Sequence, residues 1–288
     1  MTHIVVGVDG SETAGSALQW ALREATLRQQ SVVAVLAWGF LDQHHPIATE
    51  PFDPSYGEAD AVAALDAFVV QAVGAAAPVE RRVVCELPAQ ALLEVSADAA
   101  LLVVGARGLG GFRGLLLGSV SQQTLHHATC PIAIVRSDGA ARSEGLMERI
   151  VVGIDGSQTA RRALRWAIKE ARVRGASLEV VHSWHVPYVG GYPYAGAAFD
   201  PAPFEAAARQ TLDVAVDGED TSGLAEPAQR LLVMGSAAQA ILESAKGADL
   251  VVMGSRGLGG FKGLLLGSAT HQVAQHATCP VVIVPPET

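Results

Sequence analysis

At 288 residues, half of them apolar and 17% charged, the chain is long enough for two domains of ordinary size and too apolar to be disordered. A net charge of −9 excludes the basic footprint that a nucleic acid or an anionic membrane surface requires. Three cysteines, Cys85, Cys130 and Cys279, with no CxxC pair, supply neither a disulfide framework nor a structural zinc site.

In chain order, Met1-Thr-His-Ile-Val-Val-Gly enters a strand pattern with no basic segment or cleavage motif before it. No apolar run reaches membrane-spanning length, so a cytoplasmic protein with no membrane span is expected. The first strand, Ile4–Val8, stops at Asp9-Gly10-Ser11, where Ser11 reads as the N-cap of a helix. That helix buries Ala14, Ala17, Leu18, Ala21, Leu22 and Ala25 along one face. A second strand, Val32–Ala37, leads into a Pro/Gly/aromatic surface loop over 38–57. A helix, a third strand (Arg82–Glu86) and a third helix (Ala89–Ala97) follow. The apolar run Leu101–Val104 then enters a glycine-dense loop, Gly105-Ala-Arg-Gly108-Leu-Gly110-Gly111-Phe-Arg-Gly-Leu-Leu-Leu-Gly118-Ser119. A fourth helix, Ser119–His127, and Ala-Thr-Cys-Pro introduce a final strand, Ile132–Val135.

All of this recurs. Ile150-Val-Val-Gly153-Ile-Asp155-Gly-Ser157 repeats the opening at an offset of 146, and the helical face returns as Ala160, Ala163, Leu164, Ala167, Ile168 and Ala171. The second copy continues with strands Leu178–Ser183 and Arg230–Met234, a loop over 184–203, and a helix Ala237–Lys246. Leu250–Met253 precedes the second glycine loop, Gly254 to Gly267-Ser268, at an offset of 149; 12 of its 14 positions match the first. The helix Ser268–His276 and the strand Val281–Val284 close the copy. A repeat of this length is a duplicated domain. Residues 1–137 are assigned to a first domain, 138–148 to a linker and 149–288 to a second domain. Strict strand–helix alternation implies an α/β fold, with a parallel sheet covered on both faces.

Strand, glycine loop and helix N-terminus together present backbone N–H groups to a phosphate, so two nucleotide sites are expected. Neither loop is a Walker A motif, and neither keeps the dinucleotide G-x-G-x-x-G spacing. Both fit Gly-x2-Gly-x9-Gly-Ser. Asp9 and Asp155 close the first strand of each copy, beside the loop in a doubly wound sheet. Such a carboxylate can bind a ribose hydroxyl or a divalent cation; Asp-Gly-Ser is equally a turn and helix cap. Arg107 and Arg256 could meet polyphosphate charge or stand solvated on a loop. The helix-four histidines, His126, His127, His271 and His276, lack metal-ligand spacing, and Cys130 and Cys279 read as small buried side chains.

With these motifs the chain resembles the universal stress proteins, specifically the tandem-domain ATP-binding type, over nearly its whole length. The resemblance implies two doubly wound domains, each with a five-stranded parallel sheet in the order 3-2-1-4-5 and helices on both faces. It implies one ATP per domain. In the first, Gly7 and Asp9 lie near ribose and phosphates, and the backbone of Ala37 meets the adenine edge. Gly105, Ala106, Arg107, Gly108, Leu109, Gly110 and Gly111, with Gly118, Ser119, Val120 and Ser121, hold the phosphates. In the second the set is Gly153, Asp155 and Ser183, then Gly254, Ser255, Arg256, Gly257, Leu258, Gly259 and Gly260, with Gly267, Ser268, Ala269 and Thr270. Asp9 and Asp155 are also candidate magnesium ligands.

No catalytic constellation is visible: there is no nucleophile with a base and an orienting group. Three readings stay open at this point. The first is a nucleotide-dependent stress-response regulator, the second a slow magnesium-dependent ATPase or phosphotransferase, and the third a scaffold with vestigial sites. A regulatory protein partner is implied without being named. The apolar last strands of the two copies would lie on sheet edges, which predicts that they pair in an intramolecular pseudo-dimer; a homodimer of the whole chain is a further option.

Overall fold

The computed structural model describes residues 2–39, 56–109, 116–137, 148–186, 200–258 and 266–287. The first half runs β1 (His3–Gly7), α1 (Glu12–Arg28), β2 (Ser31–Trp38), α2 (Glu58–Val73) and β3 (Val79–Cys85). It continues with α3 (Pro88–Val95), β4 (Leu101–Gly105), α4 (Ser119–His127) and β5 (Ile132–Val135). The second half repeats the series as β6 (Arg149–Ile154), α5 (Gln158–Arg174), β7 (Ser177–Trp184), α6 (Ala202–Asp217) and β8 (Gln229–Met234). Then come α7 (Ala237–Ser244), β9 (Leu250–Gly254), α8 (Ser268–His276) and β10 (Val281–Val284).

The strands form one ten-stranded sheet in the order β3-β2-β1-β4-β5-β10-β9-β6-β7-β8. Each half is the expected 3-2-1-4-5 parallel sheet, and β5 meets β10 antiparallel. The central strands are apolar on both faces and fully buried, as a sheet covered by helices on each side demands. The seam register is Ile132↔Ile283, Ala133↔Val282 and Ile134↔Val281. Because Ala133 and Val282 are equivalent positions, the pairing is two-fold symmetric about them. The expected pairing of the last strands is therefore what the apolar edges adopt.

Several element boundaries differ from the sequence expectation by one to three residues, most at β3, α3 and α7. β3 begins at Val79 rather than Arg82, because Val79, Glu80 and Arg81 pair with Val32, Val33 and Ala34 of β2. Helices α3 and α7 end at Val95 and Ser244, each two residues earlier than the pattern of apolar residues suggested.

A second contact joins the halves. Helices α1 and α5 cross with Glu24, Arg28, Glu170 and Arg174 between them. Each arginine pairs with the glutamate four residues before it and with the glutamate of the other helix. The glutamates are 1% and 4% exposed, and Arg174 is 6% exposed. Burial pushes the Glu24 carboxyl above the usual carboxylate range, against the pull of Arg174 and Arg28. Burial also opposes the charge on Arg174, yet Glu24, Glu170 and Glu148 outweigh it and hold the guanidinium protonated. Trp166 lies under Arg28, 5.5 Å from its guanidinium carbon.

Candidate functional site

The turn after β1 passes through Gly10, at φ +86°, and its equivalent through Gly156, at φ +88°, a backbone region that side chains strain. The turn brings Asp9 back over the chain. Its Oδ1 accepts from the Ser11 amide at 3.0 Å and its Oδ2 from the Leu109 amide at 3.0 Å. Asp155 does the same with Ser157 at 2.9 Å and Leu258 at 2.7 Å. One carboxylate therefore ties the end of the first strand to the glycine loop in each half.

Other bonds fix the loop from below. Ser11 and Ser157 cap their helices by accepting from Ala14 and Ala160. The hydroxyls of Thr13 and Thr159 donate to the carbonyls of Arg107 and Arg256. At the neck of the loop the Gly118 amide donates to the Ala106 carbonyl at 2.8 Å, and the Gly267 amide to that of Ser255 at 2.8 Å. Ser121 and Thr270 donate side-chain hydroxyls to Gly105 and Gly254 carbonyls at 2.7 and 2.8 Å.

Packing explains the glycines. A Cβ on Gly108 or Gly257 would run into the Asp9 or Asp155 carboxylate. On Gly105 it would stand 3.0 Å from the Thr13 backbone, and on Gly254 2.9 Å from that of Thr159. Gly7 and Gly153 make room for Leu92 and for Met253 with Ile241. Among the described glycines of the site, Gly118 and Gly267 have ordinary space, 3.5 Å or more to the nearest atom. Gly110, Gly111, Gly259 and Gly260 lie outside the described residues.

Helices α4 and α8 begin after a glycine N-cap that has no side chain to accept a first-turn N–H. Their first intrahelical bonds are made by Gln122 and His271. The amides of Ser119, Val120 and Ser121, and of Ser268, Ala269 and Thr270, therefore have no partner within the helix. Neither first turn carries an acidic residue, so the positive end of each helix dipole is uncompensated there.

In the second half these groups open on a cleft of about 350 Å³. It gathers Gly153 and Asp155 from the end of β6, Ser183 from β7, and Gly254, Arg256 and Gly257 from the loop. Gly267, Ser268, Ala269 and Thr270 complete the polar side. The first-half residues Gly7, Asp9, Ala37, Gly105, Arg107, Gly108 and Gly118 to Ser121 hold the same places on β1, β2, β4 and α4. Ala106 and Ser255 are buried, and Ser255 lines a different cavity. Leu109 and Leu258 offer their amides to the aspartates, which leaves the Leu258 side chain exposed.

The sequence reading missed two groups. Thr13 and Thr159 hold the loops, and their signal was present as the repeated Asp-Gly-Ser-x-Thr-Ala. The apolar wall of the cleft, made by Val181, Ile241 and Met253 with Ala237, had no motif to mark it. Among the described residues no three His, Cys, Asp or Glu side chains gather as a metal site. A magnesium ion here would have one aspartate, with phosphate and water for the rest, a donor set that magnesium accepts.

The sequence model described as the Universal stress protein family matches residues 1–136 and again 147–285. Universal stress protein Rv2623 of Mycobacterium tuberculosis is 32% identical over 286 residues, covering 97% of this chain and 95% of its own. A universal stress protein of Mycolicibacterium smegmatis is 33% identical over 292 residues, covering 98% and 97%. The crystal structure of a universal stress protein from Archaeoglobus fulgidus superimposes with a TM-score of 0.65 at 21% identity, covering 98% of both chains. That of a putative universal stress protein from Pseudomonas aeruginosa gives 0.67 at 16%, covering 100% of this chain and 94% of its own. Matched twice by one model and along nearly its full length by tandem relatives, this chain belongs to the universal stress protein family.

Proposed function

We propose that each half, taken as residues 1–137 and 149–288, binds one ATP and that the protein acts as a nucleotide-dependent regulator. The carrying observation is the uncapped start of α8 opening on the cleft, with the same arrangement of bonds repeated at α4. A helix start without its own acid favours a bound polyphosphate. The cleft, at about 350 Å³, falls within the range of small-molecule sites. Its apolar wall of Val181, Ile241 and Met253 suits a flat base, and Asp155 lies where a ribose hydroxyl or a magnesium ion would be held. Arg256 adds a cation at the rim.

Regulation is favoured over catalysis by the aspartates themselves. Both oxygens of Asp155 already accept backbone amides, one from its own turn and one from the loop, so the carboxylate is occupied as a structural clamp and is poorly placed to activate water. Calorimetry with ATP and magnesium on the full chain tests the reading. Two nucleotides per chain are expected, and Asp155→Ala should weaken one site by about ten- to a hundred-fold, the worth of a charged hydrogen bond. Chelating magnesium should narrow that loss if the carboxylate also holds the ion. No heat of ATP binding would leave the scaffold reading. Turnover faster than nucleotide release would make the protein an ATPase.

A further inference from the structure

Beside the seam lies a cavity of about 120 Å³, bounded by Leu125, His126 and Cys130 of the first half and by Ser255, Arg256 and Pro285 of the second. The two-fold of the seam gives it a counterpart on the other side. There the guanidinium of Arg136, the residue after β5, donates to the carbonyls of Ala274 and Gln275 at the end of α8. The equivalents of Ala274 and Gln275 are Leu125 and His126; the equivalent of Arg136 is Pro285, which has no donor. The cavity is thus the recess that an arginine fills on one side of the molecule and a proline does not fill on the other.

Its chemistry suits the same group. Leu125 and His126 lie in the last turn of α4, where carbonyls have no intrahelical partner and the helix dipole is negative. Ser255, 5% exposed, replaces Ala106 of the other half, and its buried hydroxyl has no hydrogen-bond partner. A buried hydroxyl without a partner is costly, and here it can accept from a donor-rich guest. Burial, with His127 and His271 nearby, lowers the pKa of His126, which keeps the imidazole from opposing a cation. At about 30 Å³ per water, the space equals about four waters, enough for a planar guanidinium head.

We propose that this seam cavity is a guanidinium-binding site, made by the Leu125 and His126 carbonyls and the Ser255 hydroxyl. A guanidinium can come from a free small molecule or from Arg256, a residue that borders both this cavity and the second cleft. The inference stands apart from nucleotide binding. The experiment titrates methylguanidinium, at millimolar concentration with matched sodium chloride, into the full chain and reads the His126 imidazole by NMR. Saturable shifts in the wild type identify a site for an external guanidinium. Saturation in Arg256→Ala alone identifies Arg256 as the resident group. In whichever form binds, Ser255→Ala should weaken the affinity about five-fold, as loss of one hydrogen bond would. Pro285→Arg should abolish binding and raise the melting temperature, by supplying the group that Arg136 supplies opposite. No saturable shift in either background, or unchanged affinity in Pro285→Arg, overturns the proposal.

Discussion

At the scale of single residues, the glycine loops are shaped as much by their own chain as by any ligand. Gly108 and Gly257 are glycines because an aspartate carboxylate occupies the place of their Cβ. A Cβ on Gly118 would make ordinary contacts without a clash, yet Gly118 stands where a side-chain cap would otherwise close the helix start. The two positions should therefore separate under mutation. Gly108→Ala should destabilise the fold by roughly 1–3 kcal/mol through overpacking and weaken nucleotide binding together with it. Gly118→Ala should leave urea denaturation within about 0.5 kcal/mol of wild type, as substitutions without a packing penalty do. Its cost should appear in calorimetry alone; a stability loss equal to that of Gly108→Ala would make the loop glycines purely structural.

Among elements, the duplication lets one half act as the control for the other. Helix α1 ends at Gln29 in the left-handed region, φ +54°, whereas α5 ends at Gly175 with φ +63°. A left-handed non-glycine residue costs about 1–2 kcal/mol, partly offset by the greater unfolded freedom of glycine. Gln29→Gly should stabilise the protein by roughly 0.5–1 kcal/mol in urea denaturation; destabilisation would show that the Gln29 side chain has a role of its own. The same repetition made the elements legible: buried runs such as Ile4–Val6 and Ile150–Val152 marked strands and helix faces twice over, while the strand order came from the family resemblance. The site was legible where backbone chemistry leaves a spacing, as at Asp9, Gly105 and Gly118. It was illegible where partners are distant. No motif marks Glu24 for burial; the partner that permits it, Arg174, stands 150 positions away. Ser255 reads as one of the phosphate-holding loop residues, yet it is buried and lines the cavity shared with Leu125 and His126 of α4.

For the whole molecule, the seam combines an apolar ladder with a buried ionic knot. Arg174→Met would leave Glu24 and Glu170 buried with one guanidinium between them, at a cost of roughly 3–5 kcal/mol. Replacing Glu24, Arg28, Glu170 and Arg174 together by apolar residues should cost less than the single change, because no charge is stranded. Urea denaturation of the full chain checks both, and a single mutant as stable as wild type would mean that the knot is not held in solution. The outer strands follow the opposite rule. β3 and β8 have one neighbour each and carry Arg81, Arg82 and Arg230, paired with Asp66, Glu80, Asp213 and Asp217. Charge of this kind discourages further strand addition, so the sheet stops at ten.

The antiparallel meeting of β5 and β10 also sets a timetable. At about 5–20 residues per second, a ribosome that has finished Val135 needs roughly 8–30 s to reach Val284. Until then a nascent chain carries a finished sheet whose apolar margin has no mate. Ile132, Ala133 and Ile134 match their own copy as well as they match β10, since the register is symmetric about Ala133. Neighbouring ribosomes on one message could thus join two unfinished chains edge to edge, and the ionic partners Glu24 and Arg28 would repeat the match. A chain ending at Ser137 should sediment as a dimer at micromolar concentration; a monomer there would show that β5 waits for β10 alone.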